Sequence, residues 1–421
     1  MLLMTATVLA LVLANGPLAV HYQQLLDLPV GVSFGEYGIR KSLLHWVNDG
    51  LMALFFFVVG LELKREFIAG ELADVRQAAL PIIAALGGMA VPALFYFALN
   101  QHGLAARGWG IPMATDIAFA VGALALLAAR VPRALITFLV ALAIVDDLGA
   151  VAVIAVFYTA DLAAGWLAAA AGIVLLLVGL NLAGVRRMLP YFLLATLLWY
   201  ALLQSGVHAT LAGVIGAFTV PTLARYDAAM FSARLKQMVA RADAAYVADA
   251  NVLTNDSLRA VLHSVENGVV AVQSPLQRME RLWHLPVAFL VVPTFALCNA
   301  GIAIDPATLA DTLRHPVTLG VSAGLLLGKF IGISGACWLA LRLGVARLPK
   351  DTRFSQIAGV SLLAGIGFTM SIFIAELAFA DAPALLLMAK TGVLLTSAVS
   401  GALGFSWLWW LGRGTVHVRA V

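Results

Sequence analysis

The stretch Ile136–Tyr158 reads ITFLVALAIVDDLGAVAVIAVFY and places two adjacent carboxylates, Asp146 and Asp147, in the middle of a long apolar run. An ionised Asp at the centre of a bilayer costs roughly 2.5–3.5 kcal/mol on insertion scales. A buried ion pair that fixes helix packing needs one carboxylate, and a second one beside it adds cost without a packing benefit. We therefore interpret the pair as an oxygen-rich site for a cation or for protons.

The composition indicates that lipid surrounds most of the chain. Of its 421 residues, 62% are hydrophobic and 11% are charged, with a mean hydropathy of +0.97, whereas soluble domains carry about 25% charged residues. The net charge of +4 comes without a basic cluster interleaved with aromatics, so we expect no nucleic-acid partner. Cys298 and Cys337 lie in apolar stretches without a CxxC motif or a His at metal-ligand spacing, and we interpret them as packing residues.

Apolar runs of roughly 17–25 residues, the length of a membrane-spanning helix, recur along the chain. We predict twelve spans, near residues 1–19, 43–63, 79–99, 109–129, 134–158, 163–183, 190–204, 206–223, 283–303, 315–341, 355–378 and 385–411. The N-terminal run lacks the basic segment and the cleavage site of a signal peptide, so we interpret it as the first span. Its abrupt start leads us to expect a few further residues upstream.

The distribution of basic residues between the loops sets the predicted orientation. With the N-terminus in the cytoplasm, 20 of the 26 Lys and Arg residues fall on the cytoplasmic side and four on the outer side. The remaining two, Lys329 and Lys390, lie inside spans. Twelve spans with both termini cytoplasmic satisfy this bias. The predicted fold class is an all-α polytopic membrane protein that forms a single transmembrane domain over residues 1–421.

The loop 224–282, between spans 8 and 9, is polar enough to lie in water. It contains segments with helical periodicity, one of which has a plausible N-cap at Asp256 or Ser257. We predict one or two amphipathic helices at the cytoplasmic face rather than a separate domain.

Two spans are interrupted at mid-depth. Pro112 and the polar pair Thr115–Asp116 interrupt GIPMATDIAFAVGALALL, and Gly365 and Gly367 interrupt SLLAGIGFTMSIFIA. A broken helix exposes backbone groups that lipid cannot satisfy. Asp116 can offset the positive end of the half-helix that follows it.

Interruptions in corresponding parts of the two halves predict an inverted-repeat transporter, with spans three to five mirroring spans ten to twelve. Lys329, in LLLGKFIGISG, is the predicted counter-charge of the aspartates or of a half-helix C-terminus. The other ionisable residues inside spans have either a structural or a functional role. For Glu62, Glu376 and Lys390, near helix ends, we favour a structural role, as a buried ion pair or as a side chain that reaches the interface, and Asp49 is ambiguous.

Eight stretches, in order from about residue 45 to residue 377, resemble the NhaA family of sodium/proton antiporters. They are VNDGLMALFFFVVGLELKRE, MATDIAFAVG, ALAIVDDLGA, SGVHATLAGV, SPLQRMERLWHLP, FALCNAGI, LLLGKFIGIS and GIGFTMSIFIA. The resemblance covers nearly the whole chain, and the combination of IVDDLGA, ATDIAFA and GIGFTMSIFIA is specific. It implies a fold with two broken, crossing helices.

The resemblance also implies roles for residues. Asp146 and Asp147, with Thr115, would bind Na⁺ and protons, Asp116 would belong to the broken-helix assembly, and Lys329 would pair with Asp146 or balance the helix ends. A cytoplasmic pH-sensing region would contain Glu62, Arg65, Glu66, Glu280 and His284, and His208 in the SGVH motif would tune it.

The resemblance further implies the activity and its setting. We expect electrogenic exchange of Na⁺ or Li⁺ for protons, activated at alkaline pH, in the bacterial inner membrane, with a role in sodium and pH homeostasis. No cofactor is expected, and the partners are the ions and membrane lipid. The stretch PVGVSFGEYGIRK, near residues 29–41, resembles the outer hairpin of the family and implies a homodimer.

Other functions fit the residues less well. A symporter of a small anion on a similar fold predicts a polar or basic pocket, whereas the ionisable residues at mid-depth are acidic apart from one lysine. An intramembrane aspartyl protease needs carboxylates from two different helices and a GxGD motif; here the pair is adjacent and the motif is absent. A sensor without transport activity stays open, but no residue pattern requires it.

Overall fold

The computed structural model describes residues 2–34, 37–70, 72–159, 162–224, 228–245 and 255–414. The first half contains α1 (Leu2–Asn15), α2 (Ala19–Leu26), β1 (Pro29–Phe34), β2 (Tyr37–Ser42), α3 (Leu43–His45), α4 (Met52–Ala69), α5 (Val75–Leu99), α6 (Ile117–Leu126), α7 (Arg133–Phe157), α8 (Ala164–Leu182), α9 (Met188–Ser205) and α10 (Leu211–Thr219). The second half contains α11 (Ala228–Ala245), α12 (Asp256–Val272), α13 (Pro275–Pro286), α14 (Val292–Asn299), α15 (Leu309–Arg314), α16 (Pro316–Ala323), α17 (Lys329–Arg342), α18 (Phe354–Leu363), α19 (Phe368–Ala378) and α20 (Pro383–Leu411).

Several short segments depart from α-helical geometry. Three π-helical segments, at Trp46–Leu51, Val287–Val291 and Gly324–Gly328, connect helices that continue in nearly the same direction. The segments Leu104–Met113 and Gly412–Gly414 are 3₁₀-helical. A π-helical turn is rare and is often found at functional sites.

Nine helical segments among the described residues are long and apolar enough to cross a membrane, or eleven if each of two bent helix pairs is counted as one span. These segments coincide with eleven of the twelve predicted spans. The all-α polytopic fold is therefore confirmed, whereas the count of twelve is not. The difference lies in the eighth predicted span, 206–223.

The tight turn predicted at SGVH is present, but the helix after it is short. α9 ends at Ser205, and Gly206 adopts a φ of 82°, a left-handed conformation that glycine tolerates without steric cost. The helix α10 then has only nine residues, fewer than the roughly 17–25 of a full membrane span.

Side-chain donors at the C-terminal end of α10 explain how it can end inside the protein. The ammonium of Lys64 lies 2.6 Å from the carbonyl oxygens of both Phe218 and Val220. The amide of Asn181 donates to the carbonyl of Thr219 at 2.9 Å. Three consecutive carbonyl groups freed by the helix end therefore have hydrogen-bond donors, which backbone at membrane depth requires.

The first predicted span, 1–19, is not a single straight helix. α1 ends at Asn15, and α2 continues at an angle of 113° to it. Pro17 in the connection lacks a backbone N–H and cannot continue a helical hydrogen-bond pattern. The side chain of Asn15 stabilises the bend, because it donates to the carbonyl of Ile302 at 2.8 Å and accepts from the amide of Ile304 at 2.6 Å.

Both predicted helix interruptions are present. In the fourth predicted span, the 3₁₀ segment is followed by residues 114–116 without helical structure and then by α6. In the eleventh, α18 and α19 meet at 48° across residues 364–367. The amide of Asp116 donates to the carbonyl of Ile366 at 2.7 Å, so the two interruptions touch. We call residues 114–116 and 364–367 together the junction.

The β-hairpin predicted near residues 29–41 is present. β1 and β2 pair antiparallel, from Pro29 opposite Ser42 to Phe34 opposite Tyr37, and the connecting residues 35–36 lie outside the described chain. The indole of Trp46 donates to the carbonyl of Val30 at 3.0 Å and fixes the hairpin to the start of the second span.

The polar loop 224–282 contains the predicted amphipathic helices. α11 and α12 pack against each other, and α12 begins at Asp256 itself. Its cap position is therefore Asn255, one residue before the first of the two predicted positions, Asp256 and Ser257. Residues 225–227 and 246–254 lie outside the described chain. α13 then begins with a capping box, in which Ser274 and Gln277 each accept from the backbone amide of the other.

Close packing of α5 against α17 positions the lysine of the tenth span. Gly332 of α17 faces Gly87 of α5, and a Cβ atom at either glycine would overlap the backbone carbonyl of the other. The two helix backbones therefore approach closely only because both side chains are absent. Lys329, one turn before Gly332, is directed by this contact into the centre of the protein.

We expect Gly332→Ala to destabilise the protein by about 1–3 kcal/mol, because the added methyl group forces α5 and α17 apart. Thermal unfolding of the purified protein in detergent measures the effect. Gly335→Ala is the matched control: it lies on the same helix, a Cβ there meets no atom within 4 Å, and the change should stay within about 0.5 kcal/mol. Equal unfolding temperatures for the two variants would contradict the close packing.

Candidate functional site

α7 carries both aspartates near the middle of its 25 residues. Asp146 and Asp147 are 1% and 2% exposed, so both carboxylates are removed from solvent. Consecutive residues of an α-helix point about 100° apart. The two carboxylates therefore face different neighbours while they border the same region.

Lys329 is the cationic neighbour of Asp146. It is fully buried, and its ammonium forms an ion pair with Oδ2 of Asp146. Lys329 begins α17 directly after the π-helical segment Gly324–Gly328, an irregularity that the sequence did not predict. Of the two pairings that remained open from the sequence, the structure contains the one between Lys329 and Asp146.

Asp147 has no such neighbour. Among the described residues, its side chain has no hydrogen bond and no ion pair, and its Oδ1 atom is fully buried. Oδ1 of Asp146 is buried and unpartnered in the same way. Buried carboxylates in proteins are normally hydrogen-bonded or paired. These oxygens are therefore available to bind a cation or a proton.

Thr115 joins the aspartate pair to the junction. Its hydroxyl lies 2.7 Å from Oδ2 of Asp146 and 2.9 Å from the carbonyl oxygen of Ala364. A hydroxyl carries one proton and can donate to one of these acceptors at a time. Its lone pairs add an oxygen ligand beside the two carboxylates.

Asp116 binds the N-terminal ends of two half-helices. Its Oδ1 accepts from the amide of Phe119 at 3.1 Å, in the first turn of α6. Its Oδ2 accepts from the amide and the hydroxyl of Thr369, in the first turn of α19. A carboxylate is favoured at a helix N-terminus because the unpaired N–H groups carry partial positive charge. The predicted role toward α6 agrees with this geometry, and the role toward α19 was missed.

Four hydroxyl residues at the junction were missed by the sequence analysis. Each hydrogen-bonds to a backbone group or a carboxylate of the two broken spans; they are Thr369, Ser371, Ser397 and Ser400. The sequence does carry a signal for them, because isolated hydroxyl residues at membrane depth commonly hydrogen-bond across helices. The signal is weak, since such residues equally often bond to their own helix.

The structure brings together five of the six residues assigned to the pH-sensing region. Arg65 lies 2.9 Å from Oε1 of Glu66 and 3.0 Å from Oε1 of Glu280. The imidazole of His284 lies 3.4 Å from Oε1 of Glu62. These contacts connect the last turns of α4 with α13. We call these five residues the α4–α13 charge cluster.

His208 does not lie in this cluster. Its Nε2 atom is 2.6 Å from the carbonyl oxygen of Tyr158, at the end of α7, in the turn between α9 and α10. Asp49 lies in the π-helical segment Trp46–Leu51, where the indole of Trp199 donates to its backbone carbonyl at 3.0 Å.

A cavity of about 500 Å³ opens between the ends of α4, α5 and α7. Its lining residues are Glu66, Ala69, Gly70, Asp74, Gln77, Ile136, Thr137, Val140 and Ala141. The amide of Arg76 and the side chain of Gln77 donate to Asp74 and lower the pKa of that exposed carboxyl. The cavity is thus acidic at its mouth, and its α7 wall ends about one to two turns before Asp146.

The donor atoms around the aspartates are oxygens. The described residues contain no group of three or more His, Cys, Asp and Glu side chains placed to hold a metal ion. The region offers instead two carboxylates and one hydroxyl. Such hard oxygen donors suit alkali and alkaline-earth cations better than the softer transition metals.

Residues 1–408 match the sequence model of the family described as Na⁺/H⁺ antiporter 1. The chain belongs to this family. It is 56% identical to the Na⁺/H⁺ antiporter NhaA 1 of Saccharophagus degradans, over 98% of this chain and 89% of that protein. The Na⁺/H⁺ antiporters NhaA of Sulfurimonas denitrificans and Citrobacter koseri are each 48% identical, over 97% of this chain and 92% and 94% of theirs.

These matches confirm the resemblance to NhaA antiporters that the motifs indicated. A member of the Na⁺/H⁺ antiporter 1 family is a multi-pass membrane transporter and not an enzyme. The ions are its cargo, and the family works without a resident cofactor.

We expect Lys329→Met to destabilise the antiporter by about 3–5 kcal/mol, because it leaves the charge of Asp146 buried without its cation. The double variant Lys329→Met/Asp146→Asn removes both charges and should recover most of that loss. Thermal unfolding in detergent compares the two. A double variant no more stable than the single one would contradict the contribution of this ion pair.

Proposed function

We propose that this antiporter exchanges Na⁺ or Li⁺ for protons across the bacterial inner membrane, moves net charge in each cycle and is activated at alkaline pH. The observation that carries the proposal is Asp147, a buried carboxylate without a hydrogen bond or ion pair among the described residues, beside Asp146. The names of its relatives add that they are Na⁺/H⁺ antiporters.

The proposed mechanism is competition for shared oxygens. Na⁺ prefers hard oxygen ligands, which Asp147, Asp146 and the hydroxyl of Thr115 supply. Protons bind the same carboxylate oxygens, so a loaded cation and loaded protons exclude one another. When the site faces the two sides of the membrane in turn, it carries Na⁺ in one direction and returns protonated.

The two adjacent carboxylates support electrogenic exchange, because they offer two proton sites but one site for a cation. Oδ1 of Asp146 and Oδ1 of Asp147 are both without a hydrogen-bond partner among the described residues, although Oδ2 of Asp146 contacts Lys329. If one Na⁺ displaces a proton from each of Asp146 and Asp147, two positive charges move against one. The membrane potential then contributes about 2.3 kcal/mol per cycle for each 100 mV. The cell can thus expel sodium when the external medium is alkaline.

The proposed pH activation has two sources. A rising pH removes protons from the aspartates and makes them available to Na⁺. The α4–α13 charge cluster contains His284, which attracts Glu62 only when the imidazole is protonated. We propose this cluster as the pH-sensing region, with His208 tuning the response from its separate position. Together these properties would serve sodium and pH homeostasis.

The arrangement in the membrane is also a proposal. The excess of basic residues on one side supports cytoplasmic termini. Residues 1–421 would form one transmembrane domain, with loop 224–282 as a polar connection between two spans rather than a separate domain. The hairpin of β1 and β2 is too small to be stable alone, and its open edges can pair with a second copy. We therefore propose a homodimer, embedded in lipid, that is joined through residues 29–41.

We expect everted membrane vesicles with an acidic interior to lose their pH gradient when Na⁺ or Li⁺ is added, and less so with K⁺. The response should increase as the pH is raised from about 6.5 to 8.5, because fewer protons then compete with Na⁺ for the carboxylates. Asp147→Asn should abolish it, because the amide cannot carry a charge or exchange protons. Fluorescence of a weak base trapped in the vesicles measures the gradient.

The matched control for this experiment is Asp311→Asn, which removes an exposed carboxylate far along the chain from the aspartate pair. It should leave the response unchanged. Proteoliposomes on a solid support test electrogenicity, because net charge movement produces a Na⁺-dependent current. A full response in Asp147→Asn would exclude the shared-carboxylate mechanism. Exchange without current would exclude the proposed exchange of two protons for each Na⁺.

We expect replacement of residues 31–40 by a short Gly-Ser turn to convert the dimer into a monomer, because the strand edges that pair are removed. Light scattering of the purified protein in mild detergent measures the mass. Sodium-dependent exchange should persist, since the aspartate pair lies on α7. A dimer that survives the replacement would place the subunit interface elsewhere.

A further inference from the structure

Glu376 and Lys390 form an ion pair between α19 and α20 that the transport mechanism does not use. The ammonium lies 2.5 Å from Oε1 of Glu376, and the two side chains are 13% and 15% exposed. Oε1 has no partner in hydrogen-bonding geometry, so the contact is electrostatic rather than a well-aligned hydrogen bond. Both charges are mostly removed from solvent and depend on each other.

Helix-end electrostatics does not explain this pair. Glu376 lies in the last turn of α19, where the partially negative helix end disfavours a carboxylate. Lys390 lies about two turns into α20, beyond the first turn over which the helix dipole acts. What they contribute is the contact between the two helices.

A second contact joins the other end of α19 to the same helix. The amide of Phe368, the first residue of α19, donates to the hydroxyl of Ser397 at 3.1 Å. Ser397 follows Lys390 by seven residues, which is close to two full turns. α20 therefore contacts α19 at its first turn and at its last turn along one face.

A third contact reaches the other half of the broken span. One turn after Ser397, the hydroxyl of Ser400 donates to the carbonyl of Leu362, near the end of α18, at 2.6 Å. Further along, the indole of Trp407 donates to the carbonyl of Ser355 in the first turn of α18 at 2.9 Å. α18 is thus also fixed to α20 at both ends.

We propose that α20 acts as a splint for the broken span, with Lys390, Glu376, Ser397 and Ser400 as positioning residues for transport. The unbroken 29-residue helix holds α18 and α19 at a fixed angle across residues 364–367. That angle places Thr369 against Asp116 and the carbonyl of Ala364 against Thr115. The splint thereby shapes the junction without contacting the transported ion, and its effect on turnover rests on the proposed antiport.

The test is a set of four variants reconstituted in proteoliposomes: Glu376→Gln, Lys390→Met, Ser397→Ala and the charge swap Glu376→Lys/Lys390→Glu. Each single variant should lower kcat, the turnover rate of transport, by about tenfold. A displaced half-helix would move the groups of the junction by up to about an ångström, although none of the changed residues contacts the ion. The KM for Na⁺ should stay within about twofold, because no ion ligand is removed. The charge swap should restore most of kcat, since it re-forms the ion pair and places the cation in the last turn of α19, where that helix end favours it.

Hydrogen–deuterium exchange gives a readout that does not depend on transport. The single variants should exchange faster in α19 than the unmodified protein does, while α7 stays unchanged, and the charge swap should restore protection. The matched control is Thr391→Ala on the same helix, whose hydroxyl bonds to the carbonyl of Leu387 of α20 itself. It should leave kcat, KM and exchange in α19 unchanged.

Three results would overturn the proposed role of α20. The charge swap could have a kcat no higher than that of the single variants, the single variants could raise KM while kcat stays unchanged, or their hydrogen–deuterium exchange in α19 could equal that of the unmodified protein. If the charge variants do not fold, Ser397→Ala decides alone, because it removes one hydroxyl and no charge. An inactive unmodified protein would overturn the proposed antiport, whereas an active protein with neutral variants would overturn the splint only.

Discussion

Backbone groups freed inside a bilayer must find partners within the protein, because the hydrocarbon offers none. Two helices break at the same depth in this antiporter, and each break supplies partners to the other. The amide of Asp116 reaches the carbonyl of Ile366, and Thr115 reaches that of Ala364. α20 adds two hydroxyls beside the second break: Ser397 accepts from the amide of Phe368, and Ser400 donates to the carbonyl of Leu362. The candidate site therefore depends on spans from both halves of the chain, which together supply the hydrogen bonds that the two breaks need.

The three buried aspartates meet the cost of their charge in three different ways. Asp116 accepts hydrogen bonds from two helix N-termini and is thereby fixed as part of the structure. Asp146 has the ammonium of Lys329 and the hydroxyl of Thr115. Asp147 has neither. The fold thus balances Asp116 fully, Asp146 in part, because its Oδ1 has no partner, and Asp147 not at all among the described residues. An acidic core of this kind does not suit an anion symporter.

The sequence predicted the features that depend on composition and local pattern. The apolar runs, the charges inside them, the two interruptions and the hairpin are all visible along the chain, and the NhaA motifs predicted which residues form the ion site. The bend at Asn15, the short α10 and the partner Thr369 were not predicted. Each depends on contacts with residues far away in sequence, such as Lys64 reaching the end of α10. Periodicity and hydropathy do not contain that information.

The hydrogen bonds at the junction join residues that are 249 and 253 positions apart in the chain. This separation has a consequence for biosynthesis. During synthesis, α7 enters the membrane with its aspartates long before Ala364 and Thr369 leave the ribosome. An incomplete chain therefore has the charged residues but not the hydrogen bonds that hold the junction together. The junction is therefore completed only after the last spans have inserted.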